Sequence, residues 1–357
     1  KKINKNKIIE ISSRKNAISK AIEDLNSGDI LLVAGKGHET HQEYALKIKK
    51  FSDRKIIINE IKKRNKKLFN DWKINILNKN CNLKKINKKL LINNVSIDSN
   101  NLRKNDIFFG IKGPNKDGNN YSDEAIKKGA AFCIVNKIKE KNKKKIKVKN
   151  TLKVLTDSAK TIRKISSAKF FSITGSSGKT SLKELLAHSL NKLSPTAFSK
   201  NSFNNKYGVP ISLINIKKFH NFGIFEVGMD KAGEINNLSK IIKPDLAVIT
   251  NISYAHIKNF NNLSEIASAK AEIMNNILPG GTIVLNKDDN YFRFFEKIAI
   301  RKKLNIISFS KNKISSNIYL KKIFSYKSKV KILLIVNNTQ KLFIINKNLK
   351  PYIENIL

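Results

Sequence analysis

Ile173-Thr174-Gly175-Ser176-Ser177-Gly178-Lys179-Thr180-Ser181 stands between an apolar run, residues 169–173, and the helix-forming stretch LKELLAHSL that follows. Small residues in such a turn let backbone N–H groups close around phosphate oxygens, and the helix N-terminus adds its positive end. Lys179 is placed to reach the β/γ-phosphates of a nucleotide, and the Thr180 hydroxyl to sit on Mg²⁺. The strict form of this motif has Gly five places before the GK glycine, where this chain has Ile173. The turn is therefore a shortened variant, and a ligand-free glycine turn is the plainer alternative.

Outward from this loop, helix and strand patterns alternate from about residue 151, which predicts a largely parallel sheet with helices on both faces. Strands are expected at 169–173, 222–227, 245–250, 282–286 and 305–309. Glu226, Asn251 to His256, and Asn286 to Asp289 follow the ends of three of them, as the phosphate loop follows the first. Ligands of open α/β sheets bind beyond the carboxyl ends of strands, so this coincidence marks a site. Further on, KVKILLIV-NNTQ-KLFIIN reads as a β-hairpin, and the chain stops at PYIENIL in what reads as a new helix.

Upstream, residues 71–150 read as a second, smaller α/β unit. It comprises the strand-like IFFGIKG, a turn-rich loop at 113–120, a helix at 122–129 and the strand AFCIV. The run 137–149 reads as an exposed turn with part of a strand. Residues 62–70 (KKRNKKLFN) form a Lys-rich candidate linker. Before it, Ala17, Ile18, Ala21, Ile22 and Leu25 share one stripe of a helix at 15–27 closed by Ser27-Gly28, followed by a short buried strand Ile30 to Ala34 and the loop GKGHE.

The 357 residues suffice for about two or three domains, and 40% hydrophobic content excludes wholesale disorder. Lys+Arg 71 against Asp+Glu 27 gives a net charge of +44, which taken alone points to nucleic acid. The basic residues are mostly Lys, spread along the whole chain, and Asn and Ile are over-used with them, as an AT-rich coding sequence would produce. A solvated surface is the better reading, and a basic nucleic-acid-binding ATPase remains the alternative from another class. Two cysteines, Cys81 and Cys133, without metal-ligand spacing fit a reducing, cytoplasmic compartment. No h-region follows the charged first residues, and no apolar run reaches the length of a membrane span.

The shorter loop TGSSGKTS resembles that of the Mur ligase family and the related folylpolyglutamate synthases. Downstream, Asn201-Ser202-Phe203-Asn204-Asn205-Lys206-Tyr207-Gly208-Val209-Pro210 is similar to a segment of the family type that adds D-alanyl-D-alanine to UDP-N-acetylmuramoyl-tripeptide in peptidoglycan synthesis. The diaminopimelate-adding type is the alternative within the family. The resemblance implies ATP as substrate, held by Gly175, Ser176, Ser177, Gly178, Lys179, Thr180 and Ser181, with Asn286 and Asp289 at the adenosine end. It implies two Mg²⁺ ions, one on Thr180 and Glu226, and one on His256 and a carbamylated Lys270, 270 − 256 = 14 positions after the His. Lys179, Glu226, His256 and Lys270 are the expected catalytic residues, although each has an ordinary structural reading when taken singly. The γ-phosphate would pass to the peptide carboxylate, and the incoming amine would attack the acyl phosphate.

Asp98-Ser99-Asn100-Asn101-Leu102 and Asp106 to Gly113 are similar to the family's UDP-binding domain. This implies contacts to the UDP-sugar peptide from Ser99, Lys112, Gly113, Asn204 and Asn205. The family's Arg is replaced by Asn100, with Arg103 nearby. Gly35-Lys36-Gly37-His38-Glu39 and Ser52-Asp53-Arg54 resemble the C-terminal end of the diaminopimelate-adding type, which gives Gly35 and Glu39 an amino-acid-binding role.

The expected architecture is α/β. A Rossmann-like remnant at 1–61 and the linker 62–70 come first. A UDP-binding domain at 71–150 and a P-loop central domain at 151–345 follow, with the start of a truncated C-terminal domain at 346–357. Such a piece is expected to bind its substrates without joining them, and neither nucleic acid nor membrane insertion is expected.

Overall fold

A computed structural model describes the chain apart from residues 1–7, 26–28, 36–38, 40, 45–46, 82–91, 139–141, 201, 255–258, 326–327, 349, 351–352 and 354–357, and apart from the side chains of 41–49 and 65–74. It divides into two units, residues 1–74 with 87–91, and residues 75–86 with 92–357.

In the first unit, helix α1 (Arg14–Asp24) starts where the Ser13 side chain accepts a hydrogen bond from the Asn16 N–H, and it buries Ile18 and Ile22 one turn apart. The expected closure at Ser27-Gly28 lies outside the described residues. Strands β1 (His41–Tyr44) and β2 (Lys47–Lys50) form an antiparallel ribbon. Helix α2 (Asp53–Cys81) follows. One expectation is corrected here. Ile30 to Ala34 is not a strand, and Ile30 and Leu32 are 95% and 85% exposed. An apolar run becomes a strand only beside a partner strand, and none of the described strands pairs with it. Residues 62–70 are helical and lie within α2, because a run rich in Lys, Arg and Asn without Gly or Pro contains nothing that stops a helix.

The second unit holds two sheets. In the smaller, β3 (Val95–Ser96), β4 (Ile107–Phe109), β5 (Phe132–Val135) and β6 (Lys145–Lys147) run parallel in that order. Helix α3 (Ser122–Lys127) covers it, with Leu102, Phe108, Ala125, Ala130, Cys133 and Val135 as the core between. Asn150 then caps α4 (Thr151–Ile165), accepting from the Lys153 N–H at 2.9 Å. Leu155, Ala159 and Ile162, at helical spacing, are buried.

The larger sheet begins with β7 (Lys169–Thr174), followed by α5 (Lys179–Leu193), β8 (Thr196–Phe198), α6 (Gly208–Ile214), β9 (Phe222–Glu226), α7 (Glu234–Ile242), β10 (Leu246–Ile249), α8 (Leu263–Ala271), β11 (Thr282–Asn286), α9 (Phe292–Arg301) and β12 (Asn305–Ser310). The antiparallel meander β13 (Ile318–Ser325), β14 (Lys329–Val336) and β15 (Thr339–Asn346) extends one edge; its last two strands are the expected hairpin. The order is β15-β14-β13-β12-β11-β10-β7-β9-β8, parallel from β13 to β8. From β7 the chain goes first to one side and then, with β10, to the other, so the crevice beyond the end of β7 is a topological switch point.

Candidate active site

The phosphate loop lies in that crevice. Gly175 has φ +146°, and a Cβ there would fall 1.8 Å from Thr250 Oγ1, so no other residue fits without displacing the end of β10. Gly178, at φ +79°, starts α5. Between them the loop is tied to the chain leaving β10. The Ser176 N–H donates to the Asn251 carbonyl at 2.9 Å, the Ser177 N–H to Asn251 Oδ1 at 3.0 Å, and Thr250 Oγ1 to the Ser177 carbonyl at 2.6 Å. Ser176 Oγ donates to the Ser253 carbonyl and accepts from the Ser253 N–H, both at 2.9 Å. Ser181 lies in the first turn of α5.

Glu226, at the end of β9, is 1% exposed, and its two oxygens are separately held. Thr180 Oγ1 donates to Oε2 at 2.8 Å and Asn204 Nδ2 to Oε1 at 2.8 Å. The carboxylate and the Thr180 hydroxyl are thus adjacent hard oxygens beside a phosphate-sized cradle, a donor set that suits a magnesium ion sharing its shell with phosphate and water. Among the described residues no group of three or more His, Cys, Asp or Glu could hold a metal by itself.

Two lysines converge on one carbonyl. Lys179 Nζ donates to the Gly175 oxygen at 2.9 Å and to the Ser176 oxygen at 3.2 Å; Lys270 Nζ, from the end of α8, donates to the same Gly175 oxygen at 3.0 Å. Lys270 is 3% exposed, and burial, with Lys179 next to it, pushes its ammonium down to about 7. Burial also lowers Lys179, opposed by the charge of Glu226. A buried amine so lowered is in part the free base at neutral pH, the form that reacts with carbon dioxide, which a surface lysine hardly reaches.

The other expected residues are placed as follows. Asp289 accepts from the Ile252 N–H at 2.7 Å and the Tyr291 N–H at 2.8 Å, and Asn286 Oδ1 from the Asp288 N–H at 3.0 Å, so both shape the loop after β11 at the rim of the crevice. Asn205 Oδ1 accepts from the N–H groups of Tyr207 and Gly208, each at 3.0 Å, and so starts α6. Ser99 Oγ donates to Glu124 at 3.3 Å, the Lys112 backbone pairs with that of Asp117 in an isolated antiparallel β-bridge, and the Gly113 N–H donates to the Lys116 carbonyl at 2.8 Å. The structure thus groups Gly175, Lys179, Thr180, Asn204, Glu226 and Lys270, whereas Ser99, Lys112 and Gly113 belong to the loops of the smaller sheet. His256 and Asn201 lie outside the described residues.

In the first unit, Gly35 has φ +108° and lies next to Arg14. Arg14 grips Asp53 with Nε–Oδ1 at 2.9 Å and Nη2–Oδ2 at 2.5 Å, and donates to the Ala34 carbonyl at 2.8 Å. Sequence reasoning missed this pair, as it missed Lys183, fully buried near Glu226. In so Lys-rich a chain, only the position of Lys183 one turn after Lys179 would have marked it.

A cleft of about 670 Å³ separates the end of the smaller sheet from β8 and α6, and Asp98, Asn101, Arg103, Lys200, Phe203 and His220 are among the residues that line it. Asn100 is not among the residues that line it, whereas Arg103 is.

Residues 173–350 match the family model described as Mur ligase middle domain, and residues 91–170 that described as Mur ligase family, catalytic domain. A UDP-N-acetylmuramoyl-tripeptide–D-alanyl-D-alanine ligase of Rickettsia prowazekii is 38% identical over 256 residues, 71% of this chain and 54% of that protein. The ligase of the same name from Escherichia coli is 28% identical over 62% of this chain and 49% of its own length. The chain spans about half the length of these curated relatives. A crystal structure of MurF from Acinetobacter baumannii superposes with a TM-score of 0.68 at 26% identity, over 79% of this chain and 62% of that one. MurF ligase from Thermotoga maritima in complex with ADP gives 0.61 at 27% identity, over 72% and 58%.

Proposed function

The chain belongs to the Mur ligase family, and from that premise we propose that it carries the ATP- and UDP-sugar-peptide-binding part of the ligase that adds D-alanyl-D-alanine to UDP-N-acetylmuramoyl-tripeptide. The observation that supports this most is the junction of Thr180, Glu226 and Asn204. The segment most typical of this ligase type, around Asn204, there meets the carboxylate next to the phosphate loop.

In this reading the loop N–H groups and Lys179 take the β- and γ-phosphates of ATP. Magnesium, when bound, would offset phosphate charge from Thr180 and Glu226. Lys179 must leave the Gly175 and Ser176 carbonyls to reach phosphate, so nucleotide binding exchanges two loop contacts for charge-assisted ones. Lys270, neutral over much of its population at neutral pH, takes up carbon dioxide. The resulting carbamate, with His256, would serve a second ion near the peptide carboxylate. The γ-phosphoryl then passes to that carboxylate, and the amine of the dipeptide displaces phosphate from the acyl phosphate. The chain's residues position the reactants and balance their charge. Asn286 and Asp289 set the rim on which the adenosine rests, and Ser99, Lys112, Gly113 and the cleft beside Arg103 receive the UDP-sugar end.

Calorimetry tests this on the chain itself. Saturable binding of both Mg·ATP and UDP-N-acetylmuramoyl-tripeptide is expected, and failure to bind either would overturn the reading. Residues 1–61 we further propose to be related to the tail of a diaminopimelate-adding ligase, on the sequence of the GKGHE loop and the Arg14–Asp53 pair. Binding of meso-diaminopimelate that Glu39→Ala weakens would support a substrate role for that loop; no binding at millimolar ligand would remove it.

A further inference from the structure

Lys183 lies one turn beyond Lys179 on α5, so the helix face that carries Lys179 and Thr180 continues into it. Its side chain is fully buried. Its ammonium stands 3.2 Å from Glu184 Oε1 and 3.9 Å from Glu226 Oε2. The Glu184 side chain is 51% exposed and that of Glu226 2%, so solvent weakens the first interaction and hardly touches the second. Glu226 therefore faces a buried cation while accepting hydrogen bonds from Thr180 and Asn204.

We infer that Lys183 is a positioning residue that keeps Glu226 charge-balanced before the nucleotide arrives, so that a divalent cation enters this site only together with a polyphosphate. The inference rests on the magnesium-nucleotide reading of the loop. A divalent ion gains affinity from carboxylates that no other cation has already compensated. Here the carboxylate beside the loop is compensated by Lys183, and Lys179 adds further positive charge at the Gly175 carbonyl. Two lysines thus oppose a bare ion. A triphosphate reverses that balance, because it brings several negative charges and oxygen donors of its own.

The test uses Mn²⁺, whose free-ion signal in electron paramagnetic resonance reports binding directly, titrated into the chain with and without ATP. The wild-type chain should take up Mn²⁺ only when ATP is present. Lys183→Met, which keeps the volume and removes the charge, should bind Mn²⁺ without nucleotide about tenfold or more tightly than wild type. Lys183→Arg, which keeps the charge, should resemble wild type. Wild-type chain that binds Mn²⁺ as tightly alone as with ATP would overturn the inference, whether or not the variants fold. So would a folded Lys183→Met chain no better than wild type at binding the bare ion. A wild-type chain that takes up no Mn²⁺ even with ATP would instead overturn the nucleotide reading beneath it.

Discussion

Lys179 and Lys270 share a carbonyl oxygen, yet their substitutions should read out differently. Lys179→Ala removes the cation that the loop offers to phosphate. ATP affinity measured by calorimetry should fall on the order of 100-fold or below detection, as loss of charge-assisted bonds implies, with an unchanged circular dichroism spectrum. Lys270 acts through its neutral form. Its folded value of about 7 lies below the ordinary 10.5, so between these two pH values the unfolded chain binds more protons than the folded one. Stability should therefore rise with pH across that window, and the charged form should cost most below pH 7. Urea unfolding of metal-free chain from pH 6.5 to 10 should show the rise, and Lys270→Met should flatten it. In the same series, a ¹³C carbamate resonance from labelled carbon dioxide should grow as pH passes 7 and be absent from Lys270→Met. A wild-type chain without that resonance would make Lys270 a structural lysine.

At the scale of elements, α6 connects both sheets of the second unit. Its end residue Asn215 accepts from the Val95 N–H at 2.8 Å and donates to the Val95 carbonyl at 2.8 Å, completing the free edge of β3 with one amide. Its beginning, capped by Asn205, follows Asn204, which holds Glu226. Asn215→Ala should cost about 1–3 kcal/mol in urea unfolding, because it strands both backbone groups of Val95. It should also weaken UDP-sugar-peptide binding more than ATP binding, since the cleft beside β3 changes and the phosphate loop does not. Equal weakening of both would assign Asn215 to general stability. Legibility was uneven at this scale. Strands β7, β9, β10, β11 and β12 and the hairpin after 328 were readable because buried runs bounded by turns have one reading in an alternating α/β chain, whereas the three-residue edge strand β8 was too short to show a pattern. Ile30 to Ala34 was misread as a strand because pairing partners depend on surroundings that a local pattern does not contain.

For the whole molecule, a charge of +44 spread over so many lysines should act as a diffuse field. Binding to duplex DNA at low ionic strength is expected to be sequence-independent and to vanish by physiological salt, and DNA should not stimulate ATP hydrolysis. Stimulation would revive the nucleic-acid alternative. Among the described residues no helix is long and apolar enough to cross a membrane. The order of motifs along the chain was enough to determine the fold class and the family. A phosphate loop, an Asn-Asn segment, and polar residues after successive strand ends are local features with local physical causes. It did not determine that Asn205 caps a helix while Asn204 grips Glu226, that two lysines share the Gly175 oxygen, or that Lys183 is buried beside the carboxylate. Those facts depend on which side chains the sheet order brings together and how much water it excludes. In so Lys-rich a chain, placement around the phosphate loop, which only the fold decides, sets Lys179, Lys183 and Lys270 apart from the other lysines.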